Sequence, residues 1–167
     1  MATSSGSFSG RPAVTLYLDY SETSTNPGAN TSVVSWTLRL VGNSASFGLD
    51  LVSTYSVNIG GTPYNGLWNY DFRSNNTPTI TSGTTTITHD ADGSKTISVS
   101  ASATDNAGNL GSASLSGSLA LTTFPKGRRW NGSSWTFLTT RRRWNGSSWT
   151  SLTIAKRWNG TSWVDLS

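Results

Sequence analysis

Apolar and polar residues alternate along most of this chain with a period of two. Val14, Leu16, Leu18 and Tyr20 alternate with Thr15, Tyr17 and Asp19, the pattern of a strand with one buried face. Val34, Trp36, Leu38 and Leu40 repeat it, as do Leu49, Leu51, Tyr55, Val57 and Ile59. A less regular aromatic stretch follows, with Tyr64, Trp68, Tyr70 and Phe72. Further strand signals run through Ile80 and Ile87, through Ile97, Val99 and Ala101, and through Leu115, Leu119 and Leu121. Turn signals fall between them at Asn26-Pro27-Gly28, Gly60-Gly61, Asp90-Ala91-Asp92-Gly93 and Asp105-Asn106-Ala107-Gly108-Asn109. No helical period interrupts the series. Roughly seven short strands at this spacing predict an all-β fold, an immunoglobulin-like β-sandwich over residues 13–124 with Trp36 in its core. Residues 1–12 are small and polar and read as a flexible N-terminal arm.

The pattern changes after Phe124-Pro125-Lys126-Gly127, and the boundary is placed there. Residues 125–167 hold three tandem repeats of 14 residues, centred on Trp130-Asn131-Gly132-Ser133-Ser134-Trp135, Trp144-Asn145-Gly146-Ser147-Ser148-Trp149 and Trp158-Asn159-Gly160-Thr161-Ser162-Trp163. Six of the eight tryptophans lie here, so the segment is built around indole. Each unit follows two basic residues: Arg128 and Arg129, Arg142 and Arg143, Lys156 and Arg157. Asn-Gly predicts a hairpin, because both residues accept positive φ in a type I′ turn. Two registers are open. A two-residue loop pairs Trp130 with Ser133, whereas a four-residue loop pairs Trp130 with Trp135. Both put the two tryptophans of a repeat on one face, with Arg128 on that face and Arg129 on the other. A lone two-stranded hairpin is marginal in water. The indole face is therefore expected to pack against another repeat, another subunit or the sandwich.

Charge sharpens this division. Residues 1–124 carry four basic and seven acidic residues, a balance of −3. Residues 125–167 carry eight basic residues and only Asp165, a balance of +7. The two parts must face different surroundings. With no cysteine, there is neither a disulfide framework nor a thiolate metal site. No apolar run approaches ~18 residues, so membrane insertion is not expected. Met1-Ala2-Thr3-Ser4-Ser5-Gly6-Ser7 lacks the basic start and apolar stretch of a secretory signal, so synthesis in a cytoplasm is expected.

Catalytic chemistry finds little material. The single histidine, His89, precedes a turn and reads as a solvent-exposed structural residue rather than a catalytic one. Asp90-Ala91-Asp92-Gly93 begins like a calcium loop, but the twelfth position is Ala101 instead of Glu, so a plain turn is the simpler reading. No enzyme activity, cofactor or metal is expected. Arginine beside tryptophan suits phosphate contact and base stacking, but a strict tryptophan period more simply means packing, and nucleic acid is not expected as a partner.

Two segments carry a resemblance. Gly83-Thr84-Thr85-Thr86-Ile87-Thr88-His89-Asp90-Ala91-Asp92-Gly93-Ser94-Lys95, followed by a Ser/Ala-rich strand and closing on Gly117-Ser118-Leu119-Ala120-Leu121-Thr122-Thr123, resembles a domain of minor structural proteins of long-tailed bacteriophages (siphoviruses). The Trp-Asn-Gly-x-x-Trp units are similar to C-terminal repeats of tail-region proteins of phages that infect actinobacteria. The resemblance implies a virion structural protein, a minor tail protein of the tail tip or a tail appendage. Its partners would be other virion proteins and copies of itself, with a trimer favoured, and a host cell-surface glycan. Two alternatives are a capsid decoration protein anchored by the basic repeats and a glycan-binding adhesion module. The residues expected to carry assembly or ligand contact are Trp130, Trp135, Trp144, Trp149, Trp158 and Trp163, with Arg128, Arg129, Arg142, Arg143 and Arg157.

Overall fold

A computed structural model describes residues 1–42, 50–70, 72, 77–106, 110–124, 128–130, 133, 135–137, 142–151, 156–158 and 161–165. At 50–52, 128–130, 135–137, 142–143, 151, 156–158 and 163–165 only the backbone is described. Eight strands form two antiparallel sheets: β1 (Ala2–Ser7), β2 (Thr15–Asn26), β3 (Thr31–Val41), β4 (Asp50–Ile59), β5 (Thr62–Tyr70), β6 (Thr79–Thr88), β7 (Thr96–Thr104) and β8 (Ser112–Ala120). One sheet has the order β1-β2-β3-β6 and the other β5-β4-β7-β8. Among the described residues there is no helix, and so none long and apolar enough to cross a membrane.

The alternation sets which face each sheet buries. Leu16, Leu18 and Tyr20 of β2 and Val34, Trp36, Leu38 and Leu40 of β3 turn inward. Val57 and Ile59 of β4 and Ile97, Val99, Ala101 and Ala103 of β7 meet them from the other sheet in one core. The intervening Ser, Thr and Asn positions face solvent, where hydroxyls and amides need no protein partner. Asn26 opens the β2–β3 turn as expected, its Oδ1 accepting the Ala29 amide at 3.0 Å. Asp90 does likewise before β7, its carbonyl accepting the Gly93 amide at 2.9 Å.

The polarity of residues 1–12 suggests a flexible arm, but the structure places a strand there. β1 pairs with β2 from Ala2↔Tyr20 to Ser7↔Thr15. Phe8 then enters the core and is 1% exposed. The chain runs on beside β8, with the Ser9 amide donating to the Ser112 carbonyl at 2.9 Å and the Gly10 amide to the Leu110 carbonyl at 2.8 Å. A main-chain ladder plus one aromatic anchor orders a segment whose own side chains offer little burial. This seam is so close that a Cβ on Gly6 would collide with the Ser114 carbonyl oxygen. The opposite seam joins β5 to β6: Trp36 and Tyr64 rings lie 4.8 Å apart, and the Tyr64 hydroxyl is 2.9 Å from Thr85 Oγ1.

His89 is not solvent-exposed as the sequence suggests. It is 4% exposed and stacks on Phe124 at 4.2 Å. Nδ1 donates to the Gly93 carbonyl at 3.0 Å, since a carbonyl can only accept, and Nε2 lies 2.7 Å from Ser32 Oγ. Beside it, Glu22 Oε2 accepts the Thr122 amide at 3.0 Å and the Thr122 hydroxyl at 2.6 Å. Histidine, serine and glutamate thereby tie residues 121–124 to the end of the sandwich. Burial opposes ionisation of Glu22, but the hydroxyls of Ser32 and Thr122 and the Thr122 amide outweigh it and hold its carboxyl below the usual range. Oε1 has no hydrogen-bond partner, and the contacts that the geometry shows are those of Thr122 on Oε2. Asp19 follows the same balance. Burial is outweighed by hydrogen bonds from Arg39 at 2.6 Å and Thr3 at 2.7 Å and by the Arg39 charge, which lower its pKa.

Strand direction gives the sandwich two unlike ends. The turns at residues 27–30, 60–61 and 89–95 lie at one end, where β8 also leaves toward the repeats. The strand ends that bracket residues 8–14, 42–49, 71–78 and 105–111 lie at the other.

Lowered carboxyl pKa values stabilise the fold above the unfolded values, and that stability is lost as pH falls through them. The urea midpoint is therefore expected to hold above about pH 5 and to fall steadily below about pH 4. Asp19→Asn with Glu22→Gln should flatten the profile, and an equally steep fall in the double variant would refute the assignment. Gly6→Ala should cost about 1–3 kcal/mol in the same assay through overpacking of the seam.

Candidate functional site

The C-terminal repeats fold as three separate two-stranded hairpins: β9 (Arg128–Trp130) with β10 (Trp135–Phe137), β11 (Arg142–Trp144) with β12 (Trp149–Ser151), and β13 (Lys156–Trp158) with β14 (Trp163–Asp165). All three take the same register. Trp130 faces Trp135, Trp144 faces Trp149 and Trp158 faces Trp163. Of the two registers open in the sequence, the chain adopts the four-residue loop.

The middle hairpin shows why. Asn145 Oδ1 accepts the Ser147 amide at 3.0 Å, the Ser147 hydroxyl at 3.1 Å and the Ser148 amide at 2.8 Å. The Asn145 amide donates to the Ser148 carbonyl at 3.0 Å. A side-chain oxygen thus stands in for a backbone acceptor. Gly146 takes the positive φ, +104°, while Asn145 does not. The type I′ turn expected from Asn-Gly is therefore replaced by a loop closed on the asparagine side chain.

Behind this loop the Trp144 and Trp149 rings meet edge to face, with centroids 5.7 Å apart and planes at 60°. Aromatic pairs prefer this geometry, which contributes about 0.5–1.5 kcal/mol beyond area burial. It lets a hairpin hold itself without a sheet behind it. The indoles remain open in the single chain, 51% exposed at Trp144 and 63% at Trp149.

Backbone parity assigns the basic residues. Arg142 shares the parity of Trp144, and Arg143 falls on the opposite face across from Thr150. By the same registers Arg128 and Lys156 share the tryptophan parity, and Arg129 and Arg157 do not. The side chains of Trp130, Trp135, Trp158, Trp163, Arg128, Arg129, Arg142, Arg143 and Arg157 lie outside the described residues. Of the expected site residues, the structure thus brings one pair of side chains, Trp144 and Trp149, into contact.

Ser32, His89 and Glu22 were not expected as a group, and their proximity invites comparison with a nucleophilic triad. The geometry does not match one. A triad sets the carboxylate on Nδ1 and exposes the hydroxyl, whereas here Nδ1 meets a carbonyl and Ser32 is 1% exposed. Among the described residues no cluster of three His, Asp or Glu side chains could hold a metal ion.

Fold and appendages together define an all-β sandwich protein that carries an array of aromatic hairpins. The chain belongs to a siphovirus protein family, matching across residues 7–137 the family described as "Siphovirus protein of unknown function (DUF859)", and is a bacteriophage protein. The match begins at the last residue of β1 and ends at the last residue of β10. No curated protein and no solved structure matches it.

Asn145→Ala removes the acceptor of three donors and should destabilise the middle hairpin by about 1 kcal/mol. The exciton band of the paired indoles in circular dichroism should weaken, while the thermal transition of the sandwich stays in place. A full band in the variant would show that Asn145 does not close the loop.

Proposed function

We propose that the chain is a structural component of the phage virion, a minor tail protein of the tail tip or a tail appendage. It assembles through its C-terminal hairpins and contributes to host-surface attachment. The observation that carries this reading is the exposed Trp144–Trp149 pair on a hairpin whose register occurs three times. Six tryptophans in three successive repeats supply a large apolar area for association. Cyclic symmetry is common in such assemblies, and a trimer would gather nine hairpins. Membership of a siphovirus family supports the virion setting.

The sandwich suits display. Its repeats leave from one end, and the strand ends that bracket its longer connections lie at the other. We read it as immunoglobulin-like. β2-β3-β6 against β5-β4-β7-β8 reproduces the adjacencies A-B-E and C′-C-F-G of that fold, with β1 as an added edge. The excess positive charge of residues 125–167 would equally suit a clamp on an acidic capsid, as in a decoration protein.

Native mass spectrometry of the full chain is expected to give a defined oligomer. Substituting Trp144 and Trp149 together by Ser should shift it toward monomer without lowering the melting temperature of the sandwich. A monomeric wild-type chain would defeat the assembly reading. Gold-labelled antibody on particles should mark the tail, and label spread over the capsid would transfer the protein to the decoration class.

A further inference from the structure

The middle hairpin joins three kinds of group within a few residues. The first is the Trp144–Trp149 indole pair, which is open to solvent. The second is a polar tip. Asn145 Oδ1 is occupied by three donors within the turn, and among the described residues Nδ2 has no partner. Ser147 and Ser148 are exposed beside it. The third is a pair of basic residues, one of each parity, in each of three repeats. We infer that the hairpins are binding units for an acidic polysaccharide, one whose sugar rings carry carboxylates. This rests on the host-attachment half of the proposed function and names the ligand class.

The geometry selects among polyanions. Clamping a nucleic-acid base between two rings requires them to be parallel and two stacking distances apart, and 60° at 5.7 Å provides neither. Membrane insertion puts apolar residues foremost, whereas here the foremost residues are Asn145, Gly146, Ser147 and Ser148, with the indoles set behind them. A sugar ring offers what fits: an apolar face of C–H groups for an indole, hydroxyls for amide and serine groups, and carboxylates for arginine. Charge complementarity is strong, since residues 125–167 carry eight basic residues against one acidic. Three weak units on one chain give avidity toward a repeating polymer.

The test titrates the full chain with polygalacturonate, following tryptophan fluorescence and heat of binding. Dextran serves as a neutral sugar polymer, polyphosphate and duplex DNA as polyanions without acidic sugar rings, and phosphatidylglycerol vesicles as an anionic membrane. Polygalacturonate is expected to quench the fluorescence and to bind more weakly as salt rises. Trp144→Ala with Trp149→Ala should weaken that binding about tenfold. Both residues are exposed, so the melting temperature of the sandwich should stay unchanged. Equal binding of polyphosphate or DNA, unaffected by the tryptophan substitutions, would reduce the interaction to charge and overturn the inference. Equal binding of dextran, or a preference for vesicles, would also overturn it. Trigalacturonate, which offers three sugar rings and no repeating polymer, reads the contact without polymer avidity whatever the oligomeric state. Quenching by it that the double variant loses supports the inference even if the native mass proves monomeric. No quenching with an intact oligomer overturns the inference and leaves assembly standing.

Discussion

Burial of alternate side chains from two facing sheets is the constraint on which this molecule depends. The chain has no cysteine and few charged residues, so neither covalent cross-links nor a dense ion-pair network can hold its strands. The core must therefore be closed wherever the sheets would gape. Two seams do this with different means. At one, a polar strand and Phe8 lie so close to β8 that glycine is required at position 6. At the other, Trp36, Tyr64 and Thr85 join aromatic contact to hydrogen bonds. Carboxyl groups in and beside the core, Asp19 with Arg39, Glu22 with Thr122 and Asp105 with the Leu110 amide, are held by hydrogen bonds that offset their loss of water.

How much of this could be read beforehand depended on how far the signal travels along the chain. β2 and β3 were legible because Leu16, Leu18, Val34 and Leu38 announce a buried face at a period of two. β1 was hidden, because Ala2, Ser4 and Gly6 are too small to register as an inward face and the strand is held by its backbone. Phe8 alone pointed to order there. The burial of His89 was equally hidden, since the ring that covers it, Phe124, comes from beyond β8. In the repeats, the shared face of each tryptophan pair was legible because it survives either loop length. The choice of loop was not, because it turns on where one side-chain oxygen points.

Sandwich and hairpins solve the same problem by opposite routes. The sandwich removes its large rings from water and leaves most of its Ser and Thr outside. The middle hairpin has no second layer among the described residues and keeps its rings in water, ordered by each other and by the loop. Its fold therefore does not consume the surface it presents. Such a unit can be repeated at a fixed interval without redesign, which is what the 14-residue period records.

The opposed ends of the sandwich have a mechanical consequence. Tension between an anchor on the hairpins and a contact at the far end would run nearly parallel to the strands. Antiparallel ladder bonds lie across that direction, so β8 would be loaded against β7 along its whole length, from Thr96↔Ala120 to Thr104↔Ser112. The bonds would share the force in shear instead of opening one after another like a zip. The topology thus sets the whole β7–β8 ladder in shear along the axis that joins the two ends of the sandwich.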